Sequence, residues 1–280
     1  MINFVKGAAD NSGAPYSERN EHVMTQTERR IFLIRELLSE QPEFASLSIP
    51  QNEQMQKNLL RALFNIRMPE PASKKFLQIQ NAYLQEECRQ KGITEFSELK
   101  PIQKGIYLWQ GDITTLRCDA IVNAANTQLL GCFIPCHKCI DNAIHTFAGV
   151  QLRRVCKELM EQQNCYEPVG TAKITPAFNL PCRYILHTVG PTVYTQVTDQ
   201  ERNQLASCYR SCLCLAQKHK IKNIAFCCIS TGEFRFPNKE AAEIAIKTVK
   251  EYIKKTNCTI EVIFNVFRDV DLALYRQLLG

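Results

Sequence analysis

The sequence predicts an α/β fold built on a largely parallel sheet and preceded by a small all-helical unit. Two observations support this prediction. After Pro101, short runs of β-branched and aromatic residues alternate with helical patterns, which is the order of elements in an α/β sandwich. Before residue 100, the apolar residues instead recur at the spacing of amphipathic helices.

The composition excludes several classes of protein. With 280 residues and 45% hydrophobic residues, the chain is long enough for about two domains and can form a real core. No apolar run approaches the ~20 residues that cross a bilayer, and the first residues lack the apolar segment of a signal peptide. We therefore expect a cytoplasmic protein with no membrane partner. The net charge of +6 arises entirely after residue 100 and suits a small anionic ligand better than a nucleic-acid backbone.

Three helical patterns precede residue 100, at 28–38, 51–66 and 76–88. Pro42 ends the first pattern, a Met-Pro-Glu-Pro segment follows the second, and Gly92 ends the third. We predict a helical N-terminal extension over 25–100, after a flexible lead-in over 1–24 that has a polar sequence without periodicity. The larger unit then covers 101–280.

In the larger unit, six strand-like runs alternate with four helical patterns. The predicted strands cover residues 106–109, 120–123, 172–175, 184–189, 224–229 and 260–267. The predicted helices cover residues 141–160, 205–216, 239–253 and 272–279. Because ligands bind outside the carboxyl ends of the strands in such sheets, we expect the site in the loops that follow strands.

One short segment concentrates cysteines beside a histidine. Residues 131–139 read Gly-Cys-Phe-Ile-Pro-Cys-His-Lys-Cys, in a chain with fourteen cysteines. In a reducing compartment these are thiols or metal ligands rather than disulfides. Thiolates with an imidazole favour zinc, and three local ligands would leave the open position of a catalytic site. Two alternatives remain: small core cysteines, or a redox pair of Cys136 and Cys139.

Three further segments lie in or after predicted strands. Asn123 and Asn126 flank two alanines, where small residues let a phosphate or a ribose approach the backbone; a turn cap is the alternative. Residues 230–232 (Ser-Thr-Gly) lie between a strand and a helix, where backbone N–H groups form either an anion nest or an ordinary loop. His187 lies in an apolar strand, and we interpret it as a core residue rather than a base.

In this order, the segments resemble the macrodomain family, whose members bind ADP-ribose and have a three-layer α/β/α fold with a mixed, largely parallel sheet. The matching pieces include residues 111–114 (Gly-Asp-Ile-Thr), 140–145 (Ile-Asp-Asn-Ala-Ile-His) and 187–191 (His-Thr-Val-Gly-Pro). The cysteine segment replaces the glycine-rich run usual in the family. Together with residues 28–100, it resembles the zinc-dependent macrodomains, which are microbial protein-ADP-ribosyl hydrolases with a helical N-terminal extension.

The resemblance implies roles for individual residues. The zinc ligands are Cys132, His137 and Cys139. The catalytic candidates are Asn126, which faces the distal ribose, and Asp141, which orients or activates water. The alternative for Asp141 is a purely structural role, as an acid at the start of a helix. The remaining ligand-binding candidates match the adenine end (Asp112, Ile113 and Phe267) and the diphosphate loop (Ser230, Thr231, Gly232, Glu233, Phe234 and Phe236).

The leading hypothesis is a zinc-dependent hydrolase that removes mono-ADP-ribose from Asp or Glu side chains of modified proteins. Its expected partners are an ADP-ribosylated protein and ADP-ribose itself. The alternative is a reader module that binds ADP-ribose without cleaving it and uses zinc structurally. An open coordination position that faces the distal ribose would separate the two. Nucleic-acid binding is the weakest hypothesis, because aromatic and basic residues are not interleaved as in stacking platforms.

Overall fold

The computed structural model describes residues 23–44 and 46–280. Most of the predicted lead-in over 1–24 lies outside the described residues. The described chain forms an N-terminal helical unit, followed by a sheet with flanking helices. In this part of the chain, no helix combines the length and the apolar character that a membrane span requires.

Among the described residues, the N-terminal helical unit contains three α-helices, α1 (Gln26–Ser39), α2 (Glu53–Ile66) and α3 (Lys74–Lys91). Each helix begins after a side chain that accepts a hydrogen bond from a backbone N–H of the first turn: Thr25, Asn52 and Ser73. The apolar faces of the helices meet in a core separate from that of the sheet, formed by Leu33, Ile34, Leu37, Leu60, Leu63, Phe64, Phe76, Tyr83 and Leu84. All three helices lie where the apolar spacing predicts them.

The strands are β1 (Thr94–Glu95), β2 (Pro101–Gln103), β3 (Ile106–Gln110), β4 (Leu116–Arg117), β5 (Ala120–Ala124), β6 (Ala172–Pro176), β7 (Tyr184–Thr188), β8 (Asn223–Phe226) and β9 (Glu261–Val266). Seven of them form one sheet in the order β2–β3–β9–β8–β5–β7–β6, while β1 and β4 pair separately. The outer strands β2 and β6 run antiparallel to their neighbours, and the other pairs in this sheet are parallel. The sheet is therefore mixed and largely parallel, as predicted.

Five helices flank the sheet: α4 (Ile140–Ala148), α5 (Val150–Gln163), α6 (Asp199–Lys218), α7 (Asn238–Thr256) and α8 (Asp269–Leu279). The helices α4 and α5 pack together, and α7 packs between α6 and α8. Residues 120–123 in β5 are all buried, so the sheet is covered on both faces. The helix α2 also packs on α4, which places the N-terminal helical unit beside the loop that leads into α4.

Several predicted elements were wrong in their extent; the helices predicted over 205–216 and 272–279 begin earlier, at Asp199 and at Asp269. The helix predicted over 141–160 is two helices, because Gly149 lies between them with φ 98° and ψ 171°, a conformation available almost only to glycine. The strand predicted over 224–229 ends at Phe226, where the chain leaves the sheet for the loop before α7.

We expect the Gly149→Ala variant to lose roughly 1 kcal/mol more unfolding free energy than the Gly92→Ala variant. Both glycines have strongly positive φ, 98° and 88°, so both variants carry backbone strain. Only at position 149 would the new Cβ meet neighbours, 2.7 Å from Nε2 of Gln80 and 2.9 Å from Nδ2 of Asn179. Both of these amides are buried. Urea unfolding of the two variants measures the difference, and equal losses would contradict the steric contribution.

Candidate functional site

A cavity of about 660 Å³ lies at the carboxyl ends of β5, β8 and β9. Loops that follow these strands form its walls. We call residues 131–139 the cysteine–histidine loop and residues 230–236 the serine–threonine loop. The volume is in the range of small-molecule sites, and the position is where parallel sheets bind ligands.

The cysteine–histidine loop brings together the three residues predicted to hold zinc. The donor atoms of Cys132, His137 and Cys139 all lie within 4.8 Å of one another, and the three side chains are half-buried. Sγ of Cys132 is 3.5 Å from Nδ1 of His137, so Nδ1 is the ring nitrogen that faces the cluster. Cys139 also starts α4, where its sulfur accepts a hydrogen bond from the backbone N–H of Asn142. These three residues can hold a metal ion.

The other ring nitrogen of His137 faces the opposite wall of the cavity. Nε2 of His137 lies 3.5 Å from a carboxylate oxygen of Glu233 in the serine–threonine loop. Histidines that ligate metals usually have such a partner on the second nitrogen, which fixes the ring orientation. The two loops therefore meet across the cavity through this pair.

A second group of possible metal ligands lies deeper, where His145, Cys156 and His187 are all buried and have donor atoms within 4.8 Å. The nitrogens of His187 already have partners: Nδ1 is 3.2 Å from Nδ2 of Asn123, and Nε2 is 2.9 Å from Oγ1 of Thr175. Burial lowers the pKa of His187 to about 3, and it lowers the pKa of His145 as well. This group can also hold a metal ion, because both ring nitrogens of the buried His145 have no hydrogen-bond partner among the described residues.

Asp141 lies in the first turn of α4 and lines the cavity, although the residue is only 5% exposed. One oxygen accepts a hydrogen bond of 2.8 Å from Nδ2 of Asn123. The other lies 3.5 Å from Nδ2 of Asn126, which also donates to the backbone oxygen of Gly131. Burial raises the pKa of Asp141 to about 6, and the hydrogen bond from Asn123 opposes this rise. The two catalytic candidates are therefore neighbours.

The serine–threonine loop contributes five of its predicted ligand-binding residues to the cavity: Ser230, Thr231, Gly232, Glu233 and Phe234. Ser230 has φ 66°, and its buried hydroxyl has no hydrogen-bond partner among the described residues. The turn is held by the backbone bond from Phe236 N–H to the oxygen of Ser230. Phe236 itself is 1% exposed and lies in the core rather than in the cavity wall.

The three residues predicted to bind the adenine do not lie together: one lines the other end of the cavity, and two lie outside its wall. Phe267 lines the cavity and is 75% exposed. Asp112 and Ile113 are outside the cavity wall: Ile113 is in the core, and the Asp112 carboxylate accepts hydrogen bonds from Thr114 and from Lys91 of α3. The bonds from Thr114 and the charge of Lys91 outweigh desolvation, so the pKa of Asp112 is lowered.

Sequence reasoning missed several residues of the cavity wall. The missed positions follow β8, lie at or just after the end of β9, or lie in the first turn of α8, namely Cys227, Cys228, Asn265, Arg268 and Asp271. These positions could have been found from the sheet order, because β8 neighbours β5, β9 neighbours β8, and the three parallel strands end at the same edge of the sheet.

The Macro domain family matches residues 122–245 of the chain. A protein-ADP-ribose hydrolase of Treponema medium is 57% identical over 261 residues, which are 92% of this chain and 100% of that protein. A protein-ADP-ribose hydrolase of Staphylococcus aureus strain MSSA476 is 48% identical over 259 residues, 92% of this chain and 97% of that protein. The solved Trypanosoma brucei macrodomain in complex with ADP-ribose has a TM-score of 0.61 and 28% identity, covering 78% of this chain and 95% of that one. Because two protein-ADP-ribose hydrolases are 48–57% identical to the chain over 92% of its length, and the Macro domain model matches residues 122–245, the chain belongs to the macrodomain family.

Proposed function

We propose that the chain is a zinc-dependent protein-ADP-ribose hydrolase that removes mono-ADP-ribose from Asp or Glu side chains. The observation that carries the proposal is that one cavity is lined both by the Cys132, His137 and Cys139 cluster and by Asp141. The similar proteins of Treponema medium and Staphylococcus aureus, both protein-ADP-ribose hydrolases, support the reaction class.

The cysteine–histidine loop fits zinc by the chemistry of its donors. Two thiols and one imidazole are the soft and borderline ligands that zinc prefers, and three protein ligands leave a fourth position free. When bound, the metal would supply a Lewis acid that lowers the pKa of water and can hold a ribose hydroxyl. Since the three candidate ligands line the cavity, we propose that this chemistry acts on the ADP-ribosyl group bound there.

In this proposal, different residues of the cavity wall bind different parts of ADP-ribose. Phe267 offers an aromatic face for the adenine, where stacking contributes ~1–3 kcal/mol per base. The serine–threonine loop presents backbone N–H groups to the diphosphate. Asn126 faces the distal ribose, within reach of Asp141, and Asp141 orients water and holds its proton. Water hydrolyses the ester between the protein carboxyl group and the ribose. The C–O bond that joins them breaks, and the products are a free carboxyl side chain and ADP-ribose.

We also propose the organisation of the chain and its location. Residues 101–280 would form the catalytic domain, and residues 25–100 would form a helical extension with a core of its own. All fourteen cysteines are free thiols, which suits a reducing cytoplasm.

The test is incubation with a protein mono-ADP-ribosylated on Glu or Asp, with and without a strong zinc chelator. We expect release of free ADP-ribose that chelation abolishes and added zinc restores. A substrate modified on Arg serves as the linkage control and is expected to stay intact. Tight ADP-ribose binding without any release would instead indicate that the chain is a reader module, in which zinc only holds the loop closed.

A further inference from the structure

The cysteine–histidine loop is held from outside the catalytic domain. The guanidinium of Arg61, in α2, donates a hydrogen bond of 3.0 Å to the backbone oxygen of His137. The same guanidinium donates to Oδ1 of Asn142 in α4, at 2.9 Å from Nη2 and 3.3 Å from Nε. One arginine of the N-terminal helical unit thus contacts both a candidate ligand residue and the helix that follows the loop.

Asn142 extends this connection to the other side of the loop. Its side chain is fully buried, and Nδ2 donates a hydrogen bond of 3.1 Å to the backbone oxygen of Ile134. Arg61 fixes the amide orientation of Asn142, because a guanidinium only donates and so requires the amide oxygen. The amide nitrogen is then directed at the loop.

Asn65, one turn further along α2, holds the middle of the loop. Its Oδ1 accepts a hydrogen bond of 2.9 Å from the backbone N–H of Cys136, and its Nδ2 donates one of 2.8 Å to Oγ1 of Thr146. Asn65 is 1% exposed, so these bonds are protected from water. Cys136 has φ 53°, a left-handed conformation that is costly for a residue other than glycine. The hydrogen bond that Asn65 accepts from the backbone of Cys136 supports the strained turn between the first candidate ligand and the other two.

We propose that Arg61 and Asn65 are positioning residues, which hold the cysteine–histidine loop in its ligating conformation before the metal binds. The N-terminal helical unit would therefore set the metal affinity of the catalytic domain. The proposal rests on the zinc site of the proposed function. A preorganised loop loses less conformational freedom when it binds the metal, so loss of these contacts weakens binding without removal of any ligand.

The contacts are separate from those that fold the helical unit. The helix α2 packs through Leu60, Leu63 and Phe64, which are buried in the core of the N-terminal helical unit. Arg61 is only half-buried and lies above the ring of Phe147, at 5.9 Å. Its truncation therefore leaves the apolar packing of α2 in place.

The experiment compares the full-length Arg61→Ala, Arg61→Lys and Lys57→Ala variants with the wild type. Lys57 is on the same helix, one turn earlier, and pairs with Glu53 and Glu87, so its variant is the matched control. Zinc affinity is measured by competition with a chromogenic chelator. We expect it to fall about 10- to 100-fold in Arg61→Ala, to recover in part in Arg61→Lys, and to stay at the wild-type value in Lys57→Ala.

A second readout needs no metal. In the zinc-free protein, amide hydrogen exchange of residues 131–139 should be faster in Arg61→Ala than in Lys57→Ala, while exchange in α1 stays unchanged. Equal zinc affinity and equal exchange in the two variants would overturn the inference. If the wild type itself does not bind zinc, the zinc part of the proposed function fails, and the exchange comparison still decides whether Arg61 holds the loop.

Discussion

The His137→Ala variant is expected to lose bound zinc and to release ADP-ribose about a thousandfold more slowly than the wild type, a loss of about 4 kcal/mol of transition-state stabilisation. The physical reason is the small number of donors. The candidate cluster has three possible protein ligands, and the removal of Nδ1 of His137 leaves two thiols. The remaining thiol of the loop, that of Cys136, lies outside the cluster and donates to the backbone oxygen of Asn58. The same substitution also removes the contact of Nε2 with Glu233 across the cavity.

Metal content by elemental analysis and single-turnover release of ADP-ribose from a Glu-modified protein measure the two losses. The control is His219→Ala, because His219 is an exposed histidine at the end of α6 that does not line the cavity. Circular dichroism should show the same secondary structure in both variants, since the ligand loop is not part of the apolar core. Full activity in a His137→Ala protein without zinc would contradict a metal-dependent reaction.

The sheet and its ligand edge could be predicted because they follow from short-range patterns. Apolar runs at strand spacing located β3, β5, β7 and β9 to within a residue or two of their observed ends. The carboxyl-end rule for parallel strands then placed Asn126 and the serine–threonine loop at one edge, and both line the cavity. No knowledge of side-chain packing was needed for either step.

What could not be predicted depends on contacts between distant parts of the chain. The bond from Arg61 to His137 joins residues that are 76 positions apart, and no local pattern marks Arg61 as different from other arginines on a helix surface. Gly149 is similar, because the apolar spacing continues through it and only its positive φ separates α4 from α5. The positions of Asp112 and Phe236 likewise depend on side-chain packing: Asp112 turns to Lys91 and Thr114, and Phe236 turns into the core.

The Asp141→Asn variant is expected to keep its affinity for ADP-ribose and to lose about 10²- to 10⁴-fold in the rate of release from a modified protein. An amide of the same size can still accept the 2.8 Å hydrogen bond from Asn123 and loses only the 3.5 Å contact with Nδ2 of Asn126, which keeps its bond to the backbone oxygen of Gly131, so the side chain stays in place. It cannot take a proton from water, and this is the step that the proposed function assigns to the carboxylate. Calorimetry with ADP-ribose and single-turnover release separate binding from chemistry.

The competing explanation for Asp141 is the helix dipole, because the residue lies in the first turn of α4. Asp199 also lies in the first turn of its helix, α6, and its side chain is 94% exposed, so Asp199→Asn removes a first-turn charge together with an exposed ion pair to Arg202. We expect Asp199→Asn to leave both affinity and release at the wild-type values. If Asp141→Asn instead loses affinity and rate by the same factor, Asp141 positions the ligand. If it loses neither, the proton acceptor must be sought elsewhere in the cavity wall, beginning with Glu233, which faces His137 from the opposite loop.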